Sequence, residues 1–146
     1  MKFLILNGPN INMMGIREPD IYGKQDYAAL LRLCRETCES IGVECECFQS
    51  NHEGALVDII QESYGKIDGI VINPAAYTHT GIAILDALKA VAIPAVEVHI
   101  SDVSKREGFR QISYPGMACI KTFMGLGLEG YRKAILYLWE YLQEKG

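Results

Sequence analysis

Arg17 and Tyr22 stand five residues apart in a stretch, 6–23, whose two Pro and three Gly argue against helix or strand. A free tyrosine loses its proton near pH ~10, and a neighbouring guanidinium favours the phenolate, so the pair reads as a base. His79 and His99 add groups that exchange protons near neutrality. Asn7, Asn10, Asn73 and Ser101 supply further polar groups. Arg106 and Arg110 could strengthen the same positive field, grip an anionic substrate through the forked guanidinium, or be ordinary solvated arginines. Together these residues suit a lyase built on proton transfer.

Other chemistries find less support. No glycine-rich phosphate loop follows the first apolar run, and Gly125-Leu126-Gly127 is too short to be a dinucleotide fingerprint. No Gly-x-Ser-x-Gly elbow is present for a hydrolase. Zinc is a competing use of His79 and His99, yet neither has a Cys or second His at ligand spacing. Cys34 and Cys38 on a helix, Cys45 and Cys47 alternating on a strand, and Cys119 alone match no disulfide framework and read as reduced, buried side chains.

These residues have to be positioned by a sheet. Apolar runs of four to seven residues alternate with helical patterns, as in a parallel sheet wrapped by helices. The expected strands are 3–6, 43–48, 70–72, 95–98 and 118–124. Asp26 is placed to cap a helix carrying Tyr27, Leu30, Leu31, Leu33 and Cys34 that stops at Gly42. A second helix carries Leu56, Val57, Ile59 and Ile60 to near Gly65. Thr78 or Thr80 is expected to cap a third over 81–92, a short helix is expected at 105–109, and a closing helix at 131–142. On the third helix Ile84, Leu88 and Val91 form one apolar face, while Ile82, Leu85 and Asp86 lie on another, so it needs two surfaces to pack on.

The fold expected is a single flavodoxin-like α/β domain, 1–146, with a doubly wound five-stranded parallel sheet in the order 2-1-3-4-5. In such sheets ligands bind beyond the carboxyl ends of the strands, where the order reverses. Asn7 and Asn10, Asn73, and His99 and Ser101 follow strands one, three and four, which are neighbours in that order. One site can hold them.

With 146 residues and 49% hydrophobic content the chain can bury a core. A net charge of −4, with scattered Lys and Arg, gives no basic stripe for nucleic acid or an anionic membrane. The N-terminal run reads as neither signal peptide nor membrane span, which predicts a cytoplasmic protein.

Leu6-Asn-Gly-Pro-Asn with Arg17-Glu-Pro-x-x-Tyr22-Gly, Gln49-Ser-Asn-x-Glu-Gly54, Asn73-Pro-Ala-Ala-Tyr-Thr-His-Thr80 and Glu97-Val-His-Ile-Ser101 closely resemble the type II 3-dehydroquinate dehydratases. The resemblance implies a cofactor-free loss of water from 3-dehydroquinate to give 3-dehydroshikimate, in the shikimate pathway. It implies a homo-oligomer, a dodecamer of four trimers. By the family pattern Tyr22 takes a proton from the carbon beside the ketone and Arg17 supports the charged loop and transition state. Asn10 stabilises the enolate through a held water, and His99 donates a proton to the departing hydroxyl.

Asn73, His79 and Arg110 then bind substrate hydroxyls, the backbone at Ile100 and Ser101 holds the carboxylate, and Asp86 reaches in from a neighbouring subunit. Glu97 orients His99, and Arg106 helps to lower the Tyr22 pKa. The segment 7–10 becomes a fixed pocket wall and 15–23 a lid. Gly81, Leu85, Asp102, Ser104 and Lys121 depart from the family's usual residues at positions outside this catalytic set. A non-catalytic flavin- or nucleotide-binding module on the same strand ends is the alternative.

Overall fold

The computed structural model describes residues 1–16, 25–103 and 107–145. Within them strand and helix alternate up to β4, and 3-10 turns stand between β4 and β5: β1 (Lys2–Asn7), α1 (Tyr27–Ser40), β2 (Glu44–Gln49), α2 (Glu53–Glu62), β3 (Gly69–Asn73), α3 (Ile82–Val91), β4 (Ala95–His99), β5 (Lys121–Met124) and α4 (Glu129–Lys145). The strands pair in parallel in the order β2-β1-β3-β4-β5. This is the flavodoxin-like arrangement that the alternating pattern predicts.

Strand alternation sorts the side chains into two layers. Phe3, Ile5, Val71, Val96 and Val98 pack with Leu30 and Cys34 of α1 and with Tyr131, Ile135 and Leu138 of α4. Leu4, Leu6, Ile70, Ile72 and Ala95 face the other way, onto Leu56 and Ile60 of α2 and Ile84, Leu88 and Val91 of α3. Strands covered on both faces are apolar throughout, which is why β3 is buried along its whole length.

Asp26 caps α1 as expected, its Oδ1 accepting from the Ala29 N–H at 2.8 Å. Gly42, with φ 71°, turns the chain after the helix. At α3 the expectation fails: neither Thr78 nor Thr80 caps it, and Gly81 precedes its first turn without a side-chain hydrogen bond. The backbone does that work, because the Gly81 N–H closes on the Tyr77 carbonyl at 2.6 Å and the Ile82 N–H on the Thr80 carbonyl at 2.9 Å. Thr78 is instead buried in a 3-10 turn, Ala75–His79.

The last strand is shorter than 118–124. Pro115 opens a 3-10 turn, Pro115–Ala118, and the Cys119 N–H still bonds back to Gly116, so pairing with β4 begins only where Lys121 meets Val96. Conversely, α4 extends beyond 131–142 at both ends, and Ile11–Met13 forms a 3-10 turn inside the opening loop. Of the short helix expected at 105–109, positions 105 and 106 lie outside the described residues, and Gly108–Arg110 is a 3-10 turn. Leu85 is buried within the chain, so Ile82, 53% exposed, is left as the uncovered apolar residue of the second face of α3. The cysteines are free thiols, and burial pushes Cys119 up to about 12.

Candidate active site

β1 and β3 end in register, Asn7 beside Asn73, and both amides are buried. Just beyond, the Gly8 N–H donates to the Asn73 carbonyl at 2.8 Å. A Cβ on Gly8 would lie 2.5 Å from the Pro74 carbonyl oxygen, so glycine lets the two strand exits cross this closely. Alternation directs Asn7 and Asn73 to the α1/α4 layer, where Tyr131 of α4 bridges them. Its O–H donates to Asn7 Oδ1 at 2.6 Å and accepts from Asn73 Nδ2 at 3.0 Å. Asn73 Oδ1 accepts from the Ala75 N–H at 3.1 Å, which fixes the amide's orientation. Complete burial pushes the Tyr131 phenol well above its ordinary range, so it remains a donor.

The loop after β1 is braced by the end of β2. Asn10 has a left-handed backbone, φ 69°, and its N–H donates to Asn51 Oδ1 at 3.0 Å. Gln49 Nε2 donates to the same oxygen and to the Gly8 carbonyl, each at 3.1 Å. The Tyr77 O–H donates to the Asn51 carbonyl at 2.7 Å. The Gln49-Ser-Asn motif therefore positions Asn10, whose side chain is exposed.

β4 sends Glu97 and His99 to the opposite face, in step with Ala95. His99 Nε2 lies 3.1 Å from Glu97 Oε2, and both side chains are almost wholly buried. Ser113 Oγ donates to the same carboxylate oxygen, and Thr122 Oγ1 donates to Oε1 at 2.9 Å. Burial works to raise the Glu97 pKa, but hydrogen bonds from His99, Ser113 and Thr122, with the charge of His99, carry it below the ordinary value. Glu97 is thus an anion in a dry setting, and His99 Nε2–H is its partner. His99 Nδ1 is the ring nitrogen left to exchange a proton with a bound molecule.

The peptide planes after β4 are fixed too, the Gly125 N–H donating to the His99 carbonyl and the Gly127 N–H to that of Ile100. Ser101 is exposed. His79 follows β3 in the Ala75–His79 turn, with Nδ1 3.0 Å from the Ile112 carbonyl. A carbonyl can only accept, so Nδ1 carries the hydrogen in that contact.

The candidate residues thus divide. Asn7, Asn73, Glu97 and His99 gather at the carboxyl ends of adjacent strands, with Asn10, His79, Ile100 and Ser101 in the segments leaving them. Asp86 is exposed on α3 and makes no hydrogen bond or ion pair with Asn73, Glu97 or His99. Arg17, Tyr22 and Arg106 lie outside the described residues, as does the side chain of Arg110 at the end of the Gly108–Arg110 turn. Tyr131, Ser113 and Thr122 escaped the sequence reading. A tyrosine on the apolar face of the closing helix was the available signal for the first, since a buried phenol needs a partner. A cleft of about 460 Å³ along β2, lined by Lys2, Arg35, Glu46 and Lys66 among others, contains none of the candidate residues.

A doubly wound flavodoxin-like sheet carrying a histidine–carboxylate pair on β4, one strand beyond the β1/β3 point where its order reverses, defines an α/β protein with its candidate site at the ends of β1, β3 and β4. The chain belongs to the family described as Dehydroquinase class II, which matches residues 1–139. It is 53% identical over 137 residues to the 3-dehydroquinate dehydratase of Lachnospira eligens, covering 92% of this chain and 93% of that one. Identity to the 3-dehydroquinate dehydratase of Carboxydothermus hydrogenoformans is 50% over 145 residues, covering 99% and 94% of the two chains. The crystal structure of type II dehydroquinase from Butyrivibrio crossotus superposes with a TM-score of 0.90 at 53% identity, covering 94% of this chain and 97% of that one.

Proposed function

We propose that the chain is a type II 3-dehydroquinate dehydratase, a hydro-lyase that converts 3-dehydroquinate to 3-dehydroshikimate through an enolate without a cofactor. The observation that carries this reading is the buried Glu97–His99 pair at the carboxyl end of β4, in a chain of the class II dehydroquinase family. A proton beside a ketone is weakly acidic, so the main barrier is enolate formation, which a matched base and preorganised donors lower.

In this reading Tyr22 takes that proton, with Arg17 and Arg106 favouring its phenolate. Asn10 stabilises the enolate through a held water. His99, protonated on both ring nitrogens for this step, then gives its Nδ1 proton to the departing hydroxyl: the Nδ1–H bond breaks, an O–H bond forms, the C–O pair leaves with oxygen, water departs, and the ring is left as the Nε2–H tautomer held by Glu97. Asn73, His79 and Arg110 hold the substrate hydroxyls, and the amides at Ile100 and Ser101 hold the carboxylate. Asp86 enters from a neighbouring subunit of a dodecamer of four trimers in the cytoplasm. The exposed Ile82 beside Asp86 on α3 supports a covering partner there. No helix among the described residues is long and apolar enough to cross a membrane.

The product is a conjugated enone, so ultraviolet absorbance rises as 3-dehydroquinate is consumed. Purified protein is expected to produce that rise, and Tyr22→Phe to lower kcat by orders of magnitude while substrate binding stays measurable. No rise with the natural chain would sink the activity, and near-normal turnover by the variant would remove Tyr22 as the base.

A further inference from the structure

An ionised carboxylate offers about four acceptor directions. In Glu97, His99 Nε2 and Ser113 Oγ occupy two at Oε2, and Thr122 Oγ1 occupies one at Oε1. The remaining side is closed by backbone: a Cβ on Gly116 would stand 2.6 Å from Glu97 Oε1 and 2.7 Å from Ser113 Oγ. The Gly116 N–H donates to Ser113 Oγ at 3.0 Å, which leaves the hydroxyl hydrogen for Glu97. Thr122 lies directly across from Glu97 in the β4–β5 register. Groups from β4, β5 and the Ser113–Gly116 segment thus converge on one buried anion.

We propose that Ser113 and Thr122 are positioning residues, which hold Glu97 as an anion that accepts from His99 Nε2–H and so keep Nδ1 as the nitrogen that gains a proton and then delivers it to the leaving hydroxyl. The role assigned to Nδ1 rests on the dehydratase reading. The tautomer lock itself does not. A neutral Glu97 would present its own O–H, and the ring could then turn its lone pair toward the carboxyl and its hydrogen to Nδ1, losing the fixed orientation that an anionic partner imposes. Cys119 also feels the charge of Glu97, and its thiol, raised by burial first and by Glu97 second, stays neutral. The hydroxyls of Ser113 and Thr122 thus join the His99 ring as the donors that replace water around Glu97.

The test uses the full chain, with Thr122→Val, Ser113→Ala and Thr122→Ser as variants. Two readouts are kinetics with 3-dehydroquinate and ¹⁵N NMR of the histidine rings, the His99 signals being assigned by their loss in His99→Gln. Thr122→Val and Ser113→Ala are each expected to lower kcat about tenfold with KM nearly unchanged, since a hydrogen bond to a charged group is removed. Thr122→Ser restores the rate. In the ligand-free spectrum the His99 Nε2–H tautomer, dominant in the natural chain, becomes mixed in Thr122→Val and Ser113→Ala. An unchanged tautomer in both variants overturns the proposal, as does a loss in Thr122→Ser equal to that in Thr122→Val. A natural chain that fails to turn over substrate defeats the dehydratase reading alone, because the spectra still decide the tautomer.

Discussion

A carboxylate removed from water is tolerated when donors replace the water it lost, and Glu97 has three of them on two oxygens. The depressed pKa of Glu97 ties its charge to folding. In the unfolded chain the group titrates at its ordinary value; in the folded chain it holds its charge to lower pH. Its contribution to stability is therefore fully present above the ordinary carboxylate pKa of about 4.3 and is lost as pH falls through the lower folded value. Urea unfolding of the natural chain and Glu97→Gln is expected to show the widest stability gap near neutrality and a narrowing gap as the solution is acidified below that range. A gap constant with pH would mean that Glu97 is not held as an anion. In the sequence this pair was legible through the family resemblance of Glu97-Val-His-Ile-Ser101, and the strand accounts for it, since residues two apart share a face. Its hydroxyl partners were not visible, because they lie 16 and 25 residues away and arrive only through a turn and a strand pairing.

Among the elements, α4 does more than cover the sheet. Tyr131 fastens the ends of β1 and β3 to it by giving one hydrogen bond to Asn7 and taking one from Asn73. Tyr131→Phe keeps the ring in the core and strands two buried amide groups, at a cost of about 1–3 kcal/mol in chemical denaturation. Because Asn73 loses one of the two groups that orient it, KM for 3-dehydroquinate is expected to rise in the same variant. Unchanged stability and KM together would show that the bridge contributes nothing. Elements whose type depends on local pattern were legible: the apolar runs of β1, β3 and β4, and the Asp26 cap of α1. Those decided by backbone geometry were not. Nothing in Thr78-His79-Thr80-Gly81 shows that main-chain carbonyls take the donors a threonine would have served, and apolar Ala118, Cys119 and Ile120 read as strand although Pro115 has already started a turn.

At the scale of the whole molecule, the outer side of α3 carries an uncovered apolar residue, Ile82, four positions from Asp86 on the same helical face. If a second copy covers this side, Ile82→Glu buries a charge at the contact. Sedimentation velocity is expected to show a lighter species than the natural chain, with turnover falling in parallel as Asp86 is withdrawn from the neighbouring site. Unchanged sedimentation would place the contact elsewhere on the surface.

The sheet's alternation also divides the candidate site between two faces, with Asn7 and Asn73 tied to Tyr131 of α4, and Glu97 and His99 on the face that α2 and α3 cover, held there by Ser113 and Thr122. A repacking substitution deep in either helical layer is expected to shift one half of the candidate site relative to the other. Attempts to stabilise this protein by redesigning one layer are thus also experiments on its turnover, and the two layers have to be tuned as a matched pair.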